Sequence, residues 1–241
     1  MIAAKREFNT RIEEIEKYFQ LIEKIENNYR TLSNSEESFL IDEELFKVLK
    51  ANGFMLLYNL IESTVLNCII AVFDRLLEEG LSYSKVSEQI KKYWLKYYYK
   101  HDDKIKKEKV IDQFFIITDG VLKNLPLNIK IDKIDGAGSL DTSKIKSVAE
   151  ELGVIMSLPR YRENLHGQVF QKIKKNRNDL AHGKSTFSTI GRDITFIGDN
   201  SDGARSMGLT HYKRYTIEHL EDFIADIEIY LLNKKYSVEE I

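Results

Sequence analysis

The chain has 241 residues, enough for one sizeable domain or for one domain carrying an insertion. Two prolines and twelve glycines leave long helices largely unbroken. Basic residues number 36 against 38 acidic ones, a net charge of −2, so overall charge gives no case for nucleic acid and any such case must rest on local patches.

The lone Cys68 excludes an internal disulfide and sits in the apolar run Val65-Leu66-Asn67-Cys68-Ile69-Ile70, where it reads as a buried, reduced thiol. Lys5, Arg6 and Glu7 interrupt the first residues before the apolar core of a signal peptide develops. No uninterrupted apolar run reaches the ~18 residues of a membrane span. The expected location is cytoplasmic, with no membrane partner.

Phe8, Ile12, Ile15, Phe19, Ile22, Ile25 and Tyr29 recur at steps of three and four and predict one long amphipathic helix. After the polar break Ser33-Asn34-Ser35-Glu36, a second helical region runs to Glu79. Its middle, Phe54 to Phe73, is apolar on most faces, as suits the central helix of a bundle, and Gly53 marks a candidate kink. Ser82 or Ser84 is the expected cap of a third helix through Lys100, and a fourth covers about Lys104 to Lys123. Pro126 ends it. Leu127 to Ile131 alternates like a short strand, and Gly136-Ala137-Gly138 is loop. Asp141 is the expected N-cap of a short helix closing at Gly153. A helix from roughly Arg162 to His182 turns Val169, Ile173 and Leu180 inward. Residues 183–209 contain five glycines and read as loop with a hairpin, Thr186–Ile190 against Ile194–Ile197. A last amphipathic helix carries Ile217, Leu220, Phe223, Ile224, Ile227, Tyr230 and Leu231.

The most informative stretch is Arg177-Asn178-Asp179-Leu180-Ala181-His182-Gly183. It places a guanidinium able to hold a phosphate, a carboxamide and a proton-transferring imidazole just before a glycine suited to ending a helix. Five residues separate Arg177 from His182, about 140° around an ideal helix, so the two do not share a face; Asn178 and His182, four apart, do. Unwinding at Gly183, or a second copy facing the first across a two-fold axis, would bring Arg177 and His182 to one phosphate. Lys172, Lys174, Lys175, Arg177 and Lys184 stand against Asp179 alone, a local excess of four positive charges. Cations near a helix C-terminus are also ordinary complements of its dipole, so spacing by itself does not decide for catalysis.

Arg177 through Gly183 resembles the signature of the HEPN superfamily, an Arg and a polar residue followed by a His four to six positions after the Arg. More of the chain is similar to a bacterial branch, the HEPN-like nucleases encoded with defence and toxin–antitoxin loci. The segments that carry the likeness are Leu57-Tyr58-Asn59-Leu60-Ile61-Glu62-Ser63, Gly138-Ser139-Leu140-Asp141 through Ile145, the signature, and Ser188-Thr189-Ile190-Gly191-Arg192-Asp193. The resemblance implies an all-α, HEPN-like helical bundle with a small β-hairpin or loop insertion after the motif helix. Residues 51–235 would form the core and residues 1–50 an N-terminal helical extension of a single domain.

It also implies a metal-independent endoribonuclease with no cofactor. Attack of the ribose 2′-OH would be assisted by His182, Arg177 would stabilise the phosphate charge, Asn178 would orient, and Glu62 would steady the Arg. Lys174, Lys175, Lys184 and Arg192 are the expected RNA contacts. The expected partners are the RNA substrate, a second copy completing the site, and an antitoxin or defence-system protein. The different class of function left open is a non-catalytic HEPN-like module that dimerises or binds RNA or nucleotide. A related group carries a modifiable Tyr two residues after the His; Lys184 stands there in this chain.

Three other features point elsewhere. His101, His166, His182, His211 and His219 lack metal-ligand spacing, so no metal site is expected. Gly183-Lys184-Ser185-Thr186 imitates the tail of a P-loop, but Asn178 occupies the place of its first glycine and a helix precedes it. Lys91 to Lys109 interleaves eight lysines with Tyr93, Trp94, Tyr97, Tyr98 and Tyr99. That composition suits single-stranded RNA, and suits a core or dimer contact with a solvated lysine face better.

Overall fold

The computed structural model describes residues 1–27, 30–33, 37–98, 107–129, 140–157, 160–196 and 207–238. Helix α1 (Ile2–Glu26) buries the predicted stripe, Phe8, Ile15, Phe19, Ile22 and Ile25, while Tyr29 lies outside the described residues. A short antiparallel hairpin follows, β1 (Thr31–Ser33) with β2 (Ser38–Leu40), where the sequence suggests only a polar break and the start of a helix.

The second helix accordingly starts later, as α2 (Glu43–Glu78), where the Asp42 side chain accepts the Leu45 N–H at 2.8 Å. It is the spine of the bundle and packs against α1 and three later helices, α6 (Arg160–Ala181), α7 (Phe187–Arg192) and α8 (Leu209–Leu232). An 18-residue window of α2 is long and apolar enough to cross a membrane, with a mean hydropathy of 1.7, but 61% of that window is buried within the protein itself. An all-round apolar helix enclosed by neighbours needs no other explanation. Cys68 is fully enclosed there, and burial pushes its thiol up to about 12.

Gly53 lies inside the unbroken span of α2. Its role is close approach, since a Cβ there would stand 2.8 Å from Leu209 Cδ2 of α8.

Tyr83–Lys85 form a 3-10 turn, and the third helix begins only at Glu88 (α3, Glu88–Tyr98), with the Ser87 hydroxyl, not that of Ser82 or Ser84, accepting the Ile90 N–H at 3.4 Å. Two aromatics of α3 face inward. Tyr93 and Trp94 are buried, and the Trp94 indole N–H donates to the Asn128 carbonyl at 3.0 Å. Lys96 pairs with Glu151 at 2.8 Å. Up to Lys96 this lysine–aromatic segment is therefore core plus a solvated face; residues 99–106, and the side chains of residues 97, 98 and 107–109, lie outside the description.

Helix α4 (Lys107–Leu122) keeps Ile111, Phe115 and Leu122 largely exposed. The strand expected at 127–131 reduces to an isolated bridge between Ser82 and Pro126, beside which the Leu127 N–H donates to the Leu81 carbonyl at 2.9 Å; residues 130–131 are outside the described residues.

Helix α5 (Thr142–Leu152) has the predicted ends. The Asp141 side chain accepts the Lys144 N–H at 3.0 Å, and Gly153 takes the left-handed conformation at φ 84°. Val169, Ile173 and Leu180 of α6 and the inner stripe of α8 join α1 and α2 in one hydrophobic core.

The first strand of the hairpin expected after the motif helix is instead helical, and residues 194–196 of the second are irregular. Thr186 caps α7 by accepting the Thr189 N–H at 3.1 Å, a local capping signal that outranks the β propensity of Thr and Ile in this short run. Residue 197, at the end of the second expected strand, lies outside the described residues. The buried Lys50 amine of α2 donates to the Ile194 carbonyl at 2.9 Å and fixes the chain just beyond α7. The protein is all-α, with β1–β2 as its small hairpin.

Candidate functional site

The motif helix α6 ends as its glycine predicts. Gly183 sits at φ 66°, its N–H donates to the Leu180 carbonyl at 3.2 Å, and the Lys184 N–H donates to the Asp179 carbonyl at 2.8 Å. That pair of bonds is a Schellman closure, and it makes His182 the helix C-cap. His182 is exposed, and its imidazole makes no hydrogen bond or ion pair with another described residue.

Arg177 is held quite differently. Its guanidinium carbon lies 4.5 Å from the centre of the Tyr58 ring of α2. One guanidinium nitrogen donates to the Asn178 side-chain oxygen at 3.0 Å, and another lies 3.6 Å from the Glu62 carboxylate. A cation on an aromatic face is worth about 0.5–2 kcal/mol, more as water is excluded. Tyr58 is itself pinned, because its hydroxyl accepts the Leu140 N–H at 3.1 Å just before α5. Burial raises the pKa of Glu62, against the opposing pull of the Arg177 charge and the Tyr58 hydroxyl.

Arg177, Asn178 and Glu62 thus come together, and His182 does not join them within one chain. Asn178 accepts from Arg177, while its backbone carbonyl accepts the His182 N–H at 3.0 Å. Arg177 faces α2 and His182 faces solvent, as their angular separation of about 140° requires.

The other candidates divide in the same way. Lys174 is paired with Asp141 at 2.8 Å, and Lys175 with Asp179 at 2.7 Å. The Lys174 ammonium draws the Asp141 carboxyl down, although burial alone would raise it. Lys184 and Arg192 are exposed. Counting Asp141 and Glu62, which tertiary packing adds, the local excess of positive charge falls from four to two.

Sequence reasoning missed two features. Tyr58 lies in the Leu57–Ser63 segment that carries the resemblance, without an expected role; the signal was its position four residues before Glu62, on the same face of α2. His166 and His219, far apart in sequence, meet in the core with their Nδ1 atoms 3.2 Å apart and both rings buried. Glu218 stands 3.8 Å from His166, and the Phe170 ring lies 4.8 Å from that of His219. The spacing of His166 with Val169, Phe170 and Ile173 was the available sign that it faces inward. Among the described residues no group of three or more His, Cys, Asp or Glu side chains is arranged to hold a metal ion.

Neither the curated proteins nor the solved structures gave a match to this chain. A family profile described as HEPN_MAE_28990-like HEPN matches residues 4–236, nearly the whole length and all four segments that carried the resemblance. With an all-α bundle whose motif helix closes at Arg177–Gly183, the chain belongs to this HEPN family.

Proposed function

We propose that the chain is a cytoplasmic, metal-independent endoribonuclease that works as a toxin or phage-defence effector, restrained by an antitoxin or another protein of its system. The observation that carries this reading is the preset Arg177, stacked on Tyr58 and tied to Asn178 and Glu62, five residues before an exposed His182 at the helix end.

In the proposed reaction the ribose 2′-oxygen attacks the adjacent phosphorus and the bond from phosphorus to the 5′-oxygen breaks. His182 takes the 2′ proton or supplies one to the leaving 5′-oxygen. Arg177 stabilises the charge on the non-bridging oxygens, Asn178 orients its guanidinium, and Glu62 keeps it in place. The products are a 2′,3′-cyclic phosphate and a 5′-hydroxyl. Lys184 and Arg192 contact flanking phosphates directly. Lys175 contributes by exchanging its carboxylate partner for a phosphate, which costs little for an exposed pair, and Lys174, in a part-buried pair with Asp141, does so at a larger cost.

Since Arg177 and His182 occupy different sides of α6, the working unit is a homodimer whose site takes Arg177 from one protomer and His182 from the other. Mixing tests it. Arg177→Ala and His182→Ala proteins, each inactive alone, should regain RNA cleavage when co-expressed, because one of the two composite sites in a heterodimer is intact. No recovery in verified heterodimers contradicts the composite site. Expression should also slow growth for the wild type and not for His182→Ala.

One observation favours a second reading. Glu62 already sits against the Arg177 guanidinium, as in a purely structural ion pair, which fits a non-catalytic HEPN-like module that dimerises or binds RNA or nucleotide. That protein would be harmless on expression and leave RNA intact.

A further inference from the structure

A polar groove of about 630 Å³ runs between α5 and α6. Its α6 wall is Asn164, Gly167, Gln168 and Gln171; Ser143, Lys146 and Ser147 belong to the α5 wall. Asn164, Gln168 and Gln171 are exposed, and none of the three side-chain amides is hydrogen-bonded to another described residue. At 100° per residue, these positions and Lys175, Asn178 and His182 fall within an arc of about 100° on α6. The groove and the candidate catalytic histidine therefore share one face of one helix. From Gln171 to His182 is eleven residues, about 16 Å along the axis, or roughly five stacked nucleotides at ~3.4 Å each.

We infer that this groove is a subsite for unpaired bases of the RNA strand leading to His182, an inference that rests on the endoribonuclease reading. The chemistry of the lining selects bases over phosphates. A carboxamide both donates and accepts, so it pairs with the hydrogen-bonding edges of bases, which are open only in single-stranded RNA. Lys146 and Glu150 oppose each other in sign along the same wall, so the groove offers little net charge to a phosphate backbone. At Gly167 a Cβ would stand 3.4 Å from Thr142 Oγ1, and the glycine leaves that part of the groove without a side chain from α6. Lys175, midway between the groove and His182, holds Asp179 through an exposed pair that a passing phosphate can replace.

The test uses the full-length His182→Ala protein, so that the probe is not consumed, and a fluorescein-labelled single-stranded 12-mer RNA of mixed sequence. Fluorescence anisotropy should give at least a tenfold weaker Kd when Asn164→Ala, Gln168→Ala and Gln171→Ala are combined. The slope of log Kd against log salt should be unchanged, because no phosphate contact is lost. An RNA duplex of the same sequence should compete poorly. All three positions are exposed, and an unchanged far-ultraviolet spectrum verifies the fold. A Kd within twofold of the parent, in a triple variant that on a His182 background still cuts RNA at the wild-type rate, overturns the groove and leaves the nuclease reading standing. Absence of both RNA binding and cleavage by the wild type overturns both together.

Discussion

Substituting Gly191 with alanine is the sharpest probe of how the bundle holds the segment after the motif. The added Cβ would lie 1.8 Å from the Lys47 carbonyl oxygen and 2.5 Å from its carbon, where real Cβ contacts essentially never fall below 3.0 Å. Lys47 is inside α2, so the clashing atom is helix backbone and cannot swing aside as a side chain would. Two outcomes are open to the chain. If α7 stays docked, overpacking costs about 1–3 kcal/mol or more. If it detaches, burial of Ile190 is lost at about 1.5–3 kcal/mol, and the exposed Ser188 contact to Glu44 goes with it. Either route gives a loss of roughly 1–3 kcal/mol, which for a slope near 3 kcal/mol/M lowers the urea midpoint by about 0.3–1 M. Gly120→Ala is the internal control, because nothing lies within 4 Å of its added Cβ in the helix α4. It should stabilise by up to about 1 kcal/mol. Urea unfolding followed by circular dichroism, with hydrogen exchange at the α7 amides, reads both. An unshifted midpoint and unchanged α7 protection in Gly191→Ala would show that the close contact between α7 and α2 is wrong.

If Tyr58 positions Arg177 through its ring face, Tyr58→Phe should keep most of the RNA cleavage rate, whereas Tyr58→Leu should lose about 3- to 30-fold in kcat with a smaller change in KM; equal losses in both would refute the stacking role. Glu62, its pKa raised by burial, holds its proton to higher pH when folded than when unfolded, so its contribution to stability is fully present below the unfolded value and is lost as pH rises through the folded one. Relative to wild type, Glu62→Gln should therefore gain stability from pH 4 to pH 7 in urea titrations, and a relative loss would contradict the assigned direction. Cys68, buried and with its thiol at about 12, should resist iodoacetamide at pH 8 in the native protein and react only in denaturant, as mass spectrometry would record.

The long elements were legible because their signals are strong and local. The stripe of α1, the all-apolar middle of α2, and the Asp141 and Gly153 ends of α5 each follow from spacing or capping chemistry that acts within a few residues. The failures came where a short segment had competing local preferences. Thr186 to Ile190 looks like a strand by composition, and it is instead a helix, capped by the Thr186 hydroxyl accepting the Thr189 N–H and packed against α2. The motif itself was visible, as was the angular problem it poses. What could not be read was tertiary charge: Asp141, distant in sequence, neutralises Lys174, and Glu62 was assigned to Arg177 by resemblance alone. The meeting of His166 with His219 and the stacking of Arg177 on Tyr58 also depend on how helices pack, which one-dimensional periodicity does not encode.

The most direct measurement is the chemistry of the RNA ends. Purified wild-type protein incubated with cellular RNA in EDTA should leave 2′,3′-cyclic phosphates and 5′-hydroxyls, while Arg177→Ala and His182→Ala each leave the RNA whole. Intact RNA with the wild type, cleavage that stops in EDTA, or undiminished cutting by His182→Ala would contradict the account.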